Sequence, residues 1–105
     1  MTGSHRAAIC TALTGPDAMR IGERTALPLQ DGEVRIATRA AGANFPDLLM
    51  TYGKYQLRPD PPFVPGLEIA GEVIEIGRGV TGITHGDHVM AGAKDRGRMN
   101  TWSAM

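Results

Sequence analysis

The sequence lacks several features that would direct it to particular classes of function. Cys10 is the only cysteine among the 105 residues, which excludes an intrachain disulfide and a structural zinc site built from four cysteines. The 11 basic and 11 acidic residues balance, so net charge points to neither nucleic acid nor an acidic membrane as a partner. No apolar run approaches membrane-spanning length. We therefore expect one cytoplasmic domain that binds neither nucleic acid nor a membrane.

Glycine and proline are frequent, with 14 and 7 copies, whereas aromatic residues make up only 5%. This composition favours short strands joined by tight turns. The apolar pattern predicts strands over residues 6–13, near 19–21, over 34–40 and 69–76, and again at 88–91. In the 34–40 segment, alternation predicts that Arg35 and Arg39 face water. Gly71, inside a strand, predicts a bulge or a close approach of another backbone.

One short helix is predicted between the third and fourth strands. Asn44 is a good N-cap residue, Pro46 suits a first helical turn, and the Asp47 carboxylate favours the positive end of a helix. Residues 48–51 would then form one or two turns, closed by Gly53. Cys10 falls on a predicted core strand, so we expect it to behave as a small apolar residue.

Two motifs that suggest ligand binding have simpler interpretations. Residues 77–82 match the G-x-G-x-x-G string of dinucleotide-binding loops, but that loop must open a helix. The turn residues Gly86 and Asp87 follow too soon, so we predict a hairpin connection. His85, Asp87 and His88 form a small cluster without an evident fourth metal ligand. We expect Asp87 to cap the turn.

Residues 42–77 carry a resemblance to a known family. The segments Gly42-Ala43-Asn44-Phe45-Pro46-Asp47, Pro65-Gly66-Leu67-Glu68 and the strand to Gly77 resemble the medium-chain dehydrogenase/reductase superfamily, and within it the zinc-independent quinone oxidoreductases. The resemblance covers roughly residues 6–91. It implies a mainly β, GroES-like, partly open antiparallel barrel with one or two short helices.

The same resemblance implies that no zinc is bound. Zinc alcohol dehydrogenases of this superfamily have a Cys-His pair where Asn44 and Phe45 stand, and a Gly-His-Glu where Gly66, Leu67 and Glu68 stand. A leucine has no lone pair to offer a metal. Only Glu68 is retained, and we expect it to pair with an arginine or to accept backbone hydrogen bonds.

By the same resemblance, Asn44 and Tyr55 would be the catalytic residues, with Asn44 also beside the nicotinamide of NADPH. Phe45 and Tyr52 would bind the substrate. Leu49 replaces a second tyrosine that those relatives often carry. The alternative from the sequence pattern alone is that Asn44 is only a helix cap and Tyr55 only an aromatic residue at the rim.

The expected organisation is a GroES-like domain at residues 1–91, followed by an atypical, poorly ordered tail at 92–105, without a nucleotide-binding Rossmann domain. The expected function is that of the substrate-side domain of an NADPH-dependent quinone or enone oxidoreductase, in a truncated or frameshifted chain that is inactive alone. Two alternatives stay open. One is a stand-alone, non-catalytic β-barrel binding module, and the other is a subunit completed by a separate nucleotide-binding chain. The expected partner is a small-molecule quinone or enone, and a homodimer or a complex with a partner chain is compatible with this expectation.

Overall fold

The computed structural model describes residues 4–92 and 103–104. Their regular structure is mainly β with one short helix, as predicted. In chain order the elements are β1 Ser4–Cys10, a single 3-10 turn at Pro16–Ala18, β2 Met19–Thr25, β3 Val34–Ala41, α1 Phe45–Thr51, β4 Glu68–Ile76, β5 His88–Gly92 and β6 Ser103–Ala104. Within these residues we find no helix with the length and apolar character that crossing a membrane requires.

The strands lie in two sheets. β1 and β2 form an antiparallel pair, and the larger sheet has the order β5-β4-β3-β6. An isolated antiparallel bridge joins Cys10, at the end of β1, to Phe63 in the segment before β4. The predicted antiparallel arrangement holds for all pairs but one, since β6 runs parallel to β3.

The tail was expected to begin after residue 91. Gly92 instead ends β5, and the pair Ser103–Ala104 forms β6 on the far edge of the larger sheet. The expected lack of order over the rest of residues 92–105 concerns residues outside the described part of the chain.

The centre of the core is a cluster of three fully buried side chains from different segments. These are Cys10 of β1, Met50 of α1 and Phe63 of the segment before β4. Partly buried apolar side chains surround them, namely Met19, Tyr55, Leu57 and Leu67. The Cys10 thiol also donates to the Ala12 carbonyl at 3.2 Å. The prediction that Cys10 belongs to the core is confirmed.

Arg35 corrects the prediction for β3. Arg39 faces water, but Arg35 is only 6% exposed. The register with β4 shifts between Arg35 and Ile36, which interrupts the simple alternation. The buried guanidinium is satisfied from both sides, because Nε donates to Glu75 at 2.7 Å and Nη2 donates to the Leu27 carbonyl. The segment at Leu27 therefore covers a position that the alternation alone assigned to solvent.

Gly71 confirms the predicted close approach within β4. It lies opposite Thr38, where the register between β3 and β4 shifts again. A Cβ built on Gly71 would overlap the Ala37 carbonyl oxygen and lie 2.9 Å from Ile36 Cγ2. Since a carbonyl within a hydrogen-bonded strand pair cannot move freely, only glycine fits here.

We expect Gly71→Ala to lower the free energy of unfolding by about 2 kcal/mol or more, because an added methyl group in a packed site forces the backbone to shift. Urea unfolding of the full chain measures this change. Gly92→Ala is the matched control on β5, where the nearest heavy atom to a new Cβ is the Leu67 carbonyl oxygen at 3.8 Å. Equal stability of the two variants would contradict this account of the β3–β4 pairing.

The contact with Arg35 also predicts a pH dependence. The side-chain hydrogen bond from Arg35 holds the pKa of Glu75 below its ordinary value of 4.5. Because this pKa is lowered by folding, the contact stabilises the protein above pH 4.5 and this contribution is lost as the pH falls through the folded-state value. We expect the difference in unfolding free energy between the wild type and Glu75→Gln to shrink from pH 7 to pH 3. A difference that stays constant with pH would contradict this assignment.

Candidate functional site

The site begins where β3 ends and α1 starts. Asn44 is the N-cap of α1 and has extended backbone angles. Its backbone N–H donates to Asp47 Oδ2 at 2.8 Å, and its carbonyl accepts from the Asp47 N–H at 3.0 Å. These reciprocal bonds and Pro46 in the first turn fix the start of the helix. The predicted N-cap is confirmed, and the helix begins at Phe45, directly after it.

The Asn44 side chain meets Glu68, the first residue of β4. Asn44 Nδ2 donates to Glu68 Oε1 at 3.1 Å. The expected partners of Glu68 were an arginine or backbone N–H groups, so the amide of Asn44 corrects that expectation. The sequence pointed to Glu68 because it is the family residue that is retained, whereas Asn44, Phe45 and Leu67 replace the zinc ligands. The sequence pattern could not show that Asn44 is its partner.

Beside this pair, the larger sheet has an open depression of about 600 Å³, where β3 and β5 end and β4 begins. Its lining is mostly alanine and glycine, with one carboxylate. The residues are Ala40, Ala41, Gly42, Glu68, Ile69, Ala70, Met90, Ala91 and Gly92. None of the four residues predicted for the site lines it, and it meets the Asn44 contact only through Glu68. We therefore base the site on the geometry of α1 and Glu68.

One face of α1 is apolar and exposed. Phe45 is 67% exposed, Leu48 is 39% exposed and Tyr52, the C-cap residue, is 44% exposed. Their spacing of three and four residues places them along one stripe of a helix. The structure thus brings Phe45 and Tyr52, the two predicted substrate-binding residues, onto one surface.

Tyr52 is held in place although its ring is exposed. A Cβ built on Gly15 would lie 2.5 Å from a ring carbon of Tyr52 and 2.9 Å from its hydroxyl, so the ring covers this buried glycine. Lys54 Nζ lies 5.9 Å from the ring centroid, within the range of a cation–π contact.

Tyr55 lies elsewhere. After α1, Gly53 takes the left-handed φ of 69° that was expected to close the helix. Tyr55 follows and packs, partly buried, against the cluster of Cys10, Met50 and Phe63. Asn44 and Tyr55 therefore stand beyond opposite ends of α1, which is about 10 Å long at 1.5 Å per residue. The structure brings Asn44 together with Glu68 and joins Tyr55 to the core.

The residues that would correspond to zinc ligands do not form a donor set. Leu67 packs against the core cluster, and neither leucine nor phenylalanine can coordinate a metal. The described residues contain no group of three or more histidine, cysteine, aspartate or glutamate side chains that could hold a metal ion. The residues at this site therefore do not fit the catalytic zinc of alcohol dehydrogenases.

The two sequence motifs near the C-terminal strands have the predicted simpler structures. Turns and irregular chain connect β4 to β5, so no helix follows the glycines of residues 77–82 in this part of the chain. Asp87 Oδ2 accepts from the Thr84 N–H at 2.9 Å, which confirms Asp87 as a turn cap.

Comparison with known proteins identifies related sequences and structures. Residues 30–102 match the alcohol dehydrogenase GroES-like domain family. A quinone oxidoreductase-like protein 2 homologue from Nematostella vectensis is 44% identical over 87 residues, which are 83% of this chain and 24% of that protein. The crystal structure of a probable oxidoreductase from Mycobacterium abscessus is 42% identical with a TM-score of 0.81, covering 87% of this chain and 29% of that one.

A second similar structure is that of a mycobacterial protein complexed with NADPH. It is 31% identical, has a TM-score of 0.72, and the match covers 84% of this chain and 27% of that one. The chain thus spans about a quarter of the length of the relatives that it matches.

Proposed function

Since this chain belongs to the alcohol dehydrogenase GroES-like domain family, we propose that it forms the substrate-side wall of an oxidoreductase that reduces a quinone or an enone. The family membership confirms the GroES-like fold that was predicted. The quinone oxidoreductase-like relative supports this substrate class. One observation of this structure carries the proposal. An amide, Asn44, stands on a fixed helix start and keeps one N–H free of its contact with Glu68.

Reduction of a quinone or an enone places negative charge on the carbonyl oxygen, and a fixed N–H donor near that oxygen stabilises the charge. The Asn44 amide has two N–H groups. One donates to Glu68 at 3.1 Å, and the other is available for the substrate oxygen. Because Asn44 is exposed, water can reach the site and deliver the proton that completes the reduction.

NADPH would supply the hydride in this reaction, supported by the similar mycobacterial protein that was solved with it. The described residues offer no helix after the glycines of residues 77–82 to receive the phosphates, so we propose that a separate nucleotide-binding unit holds most of the cofactor. Asn44 is the residue of this domain that would lie beside the nicotinamide.

The apolar stripe of α1 would hold the ring of the substrate. Phe45, Leu48 and Tyr52 are exposed on one face, and flat aromatic surfaces stack on quinone rings as they do on one another. Tyr55 stays in the proposal as the second polar residue. Its packing on the core would hold its phenol at a constant position.

We also propose that the reaction is zinc-independent and takes place in the cytoplasm. The first point rests on Leu67, which packs against the core where alcohol dehydrogenases carry a histidine ligand. The second rests on the single, buried and unpaired cysteine, Cys10, which fits a reducing compartment.

A chimaera tests the function directly. We expect that joining this domain to the nucleotide-binding domain of a quinone oxidoreductase-like relative yields NADPH-dependent reduction of a quinone such as 1,4-naphthoquinone. Asn44→Ala should then lower turnover about a hundredfold, because one positioned donor typically contributes that much. Tyr55→Phe should lower it by less, and His88→Ala, on β5, is the control.

Steady-state kinetics of the four chimaeras distinguish the possible outcomes. If all three substitutions lowered turnover by the same small amount, Asn44 and Tyr55 would have a structural role only. A folded chimaera that binds NADPH but reduces neither quinones nor enones would contradict the proposed function and favour a non-catalytic binding module.

Zinc content provides a separate test. We expect the full chain, purified without added metal, to contain no stoichiometric zinc, because Asn44, Phe45 and Leu67 leave Glu68 as the one charged ligand at this position. Elemental analysis before and after exposure to zinc and dialysis measures this. One zinc ion per chain that survives dialysis would refute zinc independence.

A further inference from the structure

We propose that Glu68 is a positioning residue whose carboxylate fixes the orientation of the Asn44 side-chain amide. We further propose that residue 42 is glycine because the Glu68 side chain must pass over it to reach Asn44. The catalytic consequence rests on the proposed function, whereas the orientation itself does not. The observation is the hydrogen bond from Asn44 Nδ2 to Glu68 Oε1 at 3.1 Å.

The side-chain amide of Asn44 needs a partner outside the helix, because the hydrogen bond that an N-cap side chain usually makes to the first helical turn does not orient it here. An N-cap side chain ordinarily accepts from the free N–H groups of the first helical turn. At this helix start the Asn44 side chain faces the Asp47 N–H in a capping box but makes no side-chain hydrogen bond there, and the hydrogen bonds between Asn44 and Asp47 that hold the turn use the Asn44 backbone. The Asn44 side chain donates to Glu68 instead. Once one N–H of a planar amide is held, the direction of the second N–H is also set.

Gly42 provides the route for this contact. Its N–H donates to the Glu68 carbonyl at 3.2 Å, so the two residues lie side by side across β3 and β4. A Cβ built on Gly42 would overlap Glu68 Oε1 and lie 2.8 Å from Cδ and Cγ. The Glu68 side chain therefore lies directly over Gly42 on its way to Asn44.

The backbone of Gly42 does not itself require glycine. Gly42 is absent from the glycines with positive φ, so alanine can adopt the same conformation. The atoms that a methyl group would meet belong to the end of a flexible side chain. Gly42→Ala should consequently displace the Glu68 carboxylate from Asn44 without unfolding the domain, which makes it an independent way to break the same contact.

The orientation can be measured in the full chain from the side-chain amide NMR signals of Asn44. The sequence has one other asparagine, Asn100, and Asn44→Asp assigns the signals by removing one set. We expect Glu68→Ala and Gly42→Ala to move the Asn44 amide signals toward those of a free asparagine side chain. Glu68→Gln should keep them near the wild-type position, because its carbonyl oxygen still accepts a hydrogen bond.

Glu72→Ala is the matched control. Glu72 lies four residues along β4 on the same face as Glu68, and its partner is Arg39 at 3.9 Å. It should leave the Asn44 signals unchanged. If the Asn44 signals are the same in the wild type, Glu68→Ala and Gly42→Ala, the proposal is wrong, whatever the activity of the enzyme.

In the active chimaera, misplacement of the amide should lower kcat about tenfold or more with little change in KM, since small displacements of a positioned group strongly reduce turnover. Gly42→Ala combined with Glu68→Ala should be no worse than either alone, because both remove one contact. Full activity of Glu68→Ala would overturn the positioning role. A chimaera without activity, with the expected NMR changes, would refute the proposed function and uphold the orientation by Glu68.

Discussion

The pairing of the end of β3 with the start of β4 is the constraint on which the site depends. The antiparallel register places Ala41 opposite Ile69, and one step further the Gly42 N–H donates to the Glu68 carbonyl at 3.2 Å. Because only residues 42–44 separate β3 from α1, this pairing brings the N-cap of α1 next to the first side chain of β4. The helix start and the carboxylate are thus fixed by one strand pair, and β5 completes the depression at the end of the sheet.

An added methyl group would have different effects at the two glycines of this region, Gly71 and Gly42. Gly71 faces a backbone carbonyl, that of Ala37, which the hydrogen-bonded sheet holds in place. Gly42 faces the end of the Glu68 side chain, which can rotate away. A methyl group at Gly71 therefore conflicts with the fold, whereas one at Gly42 conflicts only with a side-chain contact. The distinction separates what stabilises the sheet from what orients the site.

Local features of the fold could be predicted from the sequence, because each has a local cause. The N-cap at Asn44, the closing glycine at Gly53 and the close approach at Gly71 follow from the conformations that these residue types adopt. The burial of Arg35 could not be predicted, since it depends on a carbonyl at Leu27 and a carboxylate at Glu75. These partners come from separate segments, and alternation along one strand cannot include them.

The candidate site shows the same limit. Residue type and the family resemblance pointed to Asn44, and the retention of Glu68 was visible in the sequence. Their contact joins residues 24 positions apart, so the pattern of either segment alone could not show it. Tyr52 and Tyr55 illustrate the point within three residues. The reversal at Gly53 leaves Tyr52 exposed over Gly15 and places Tyr55 against the core.

The carboxylate of Glu68 sets a condition on how the site can act. It lies next to the place where the proposed reaction develops negative charge, and like charges repel. Between two unit charges about 4 Å apart this repulsion is about 1 kcal/mol in bulk water and about 4 kcal/mol near a protein surface, and it falls further across the length of an amide. A well-placed donor stabilises a transition state by about 3 kcal/mol, so the contact assists the reaction only if the carboxylate stays solvated. Both Asn44 and Glu68 are exposed, which keeps the Glu68 carboxylate in contact with water. Glu68 can therefore orient Asn44 while water screens its own charge.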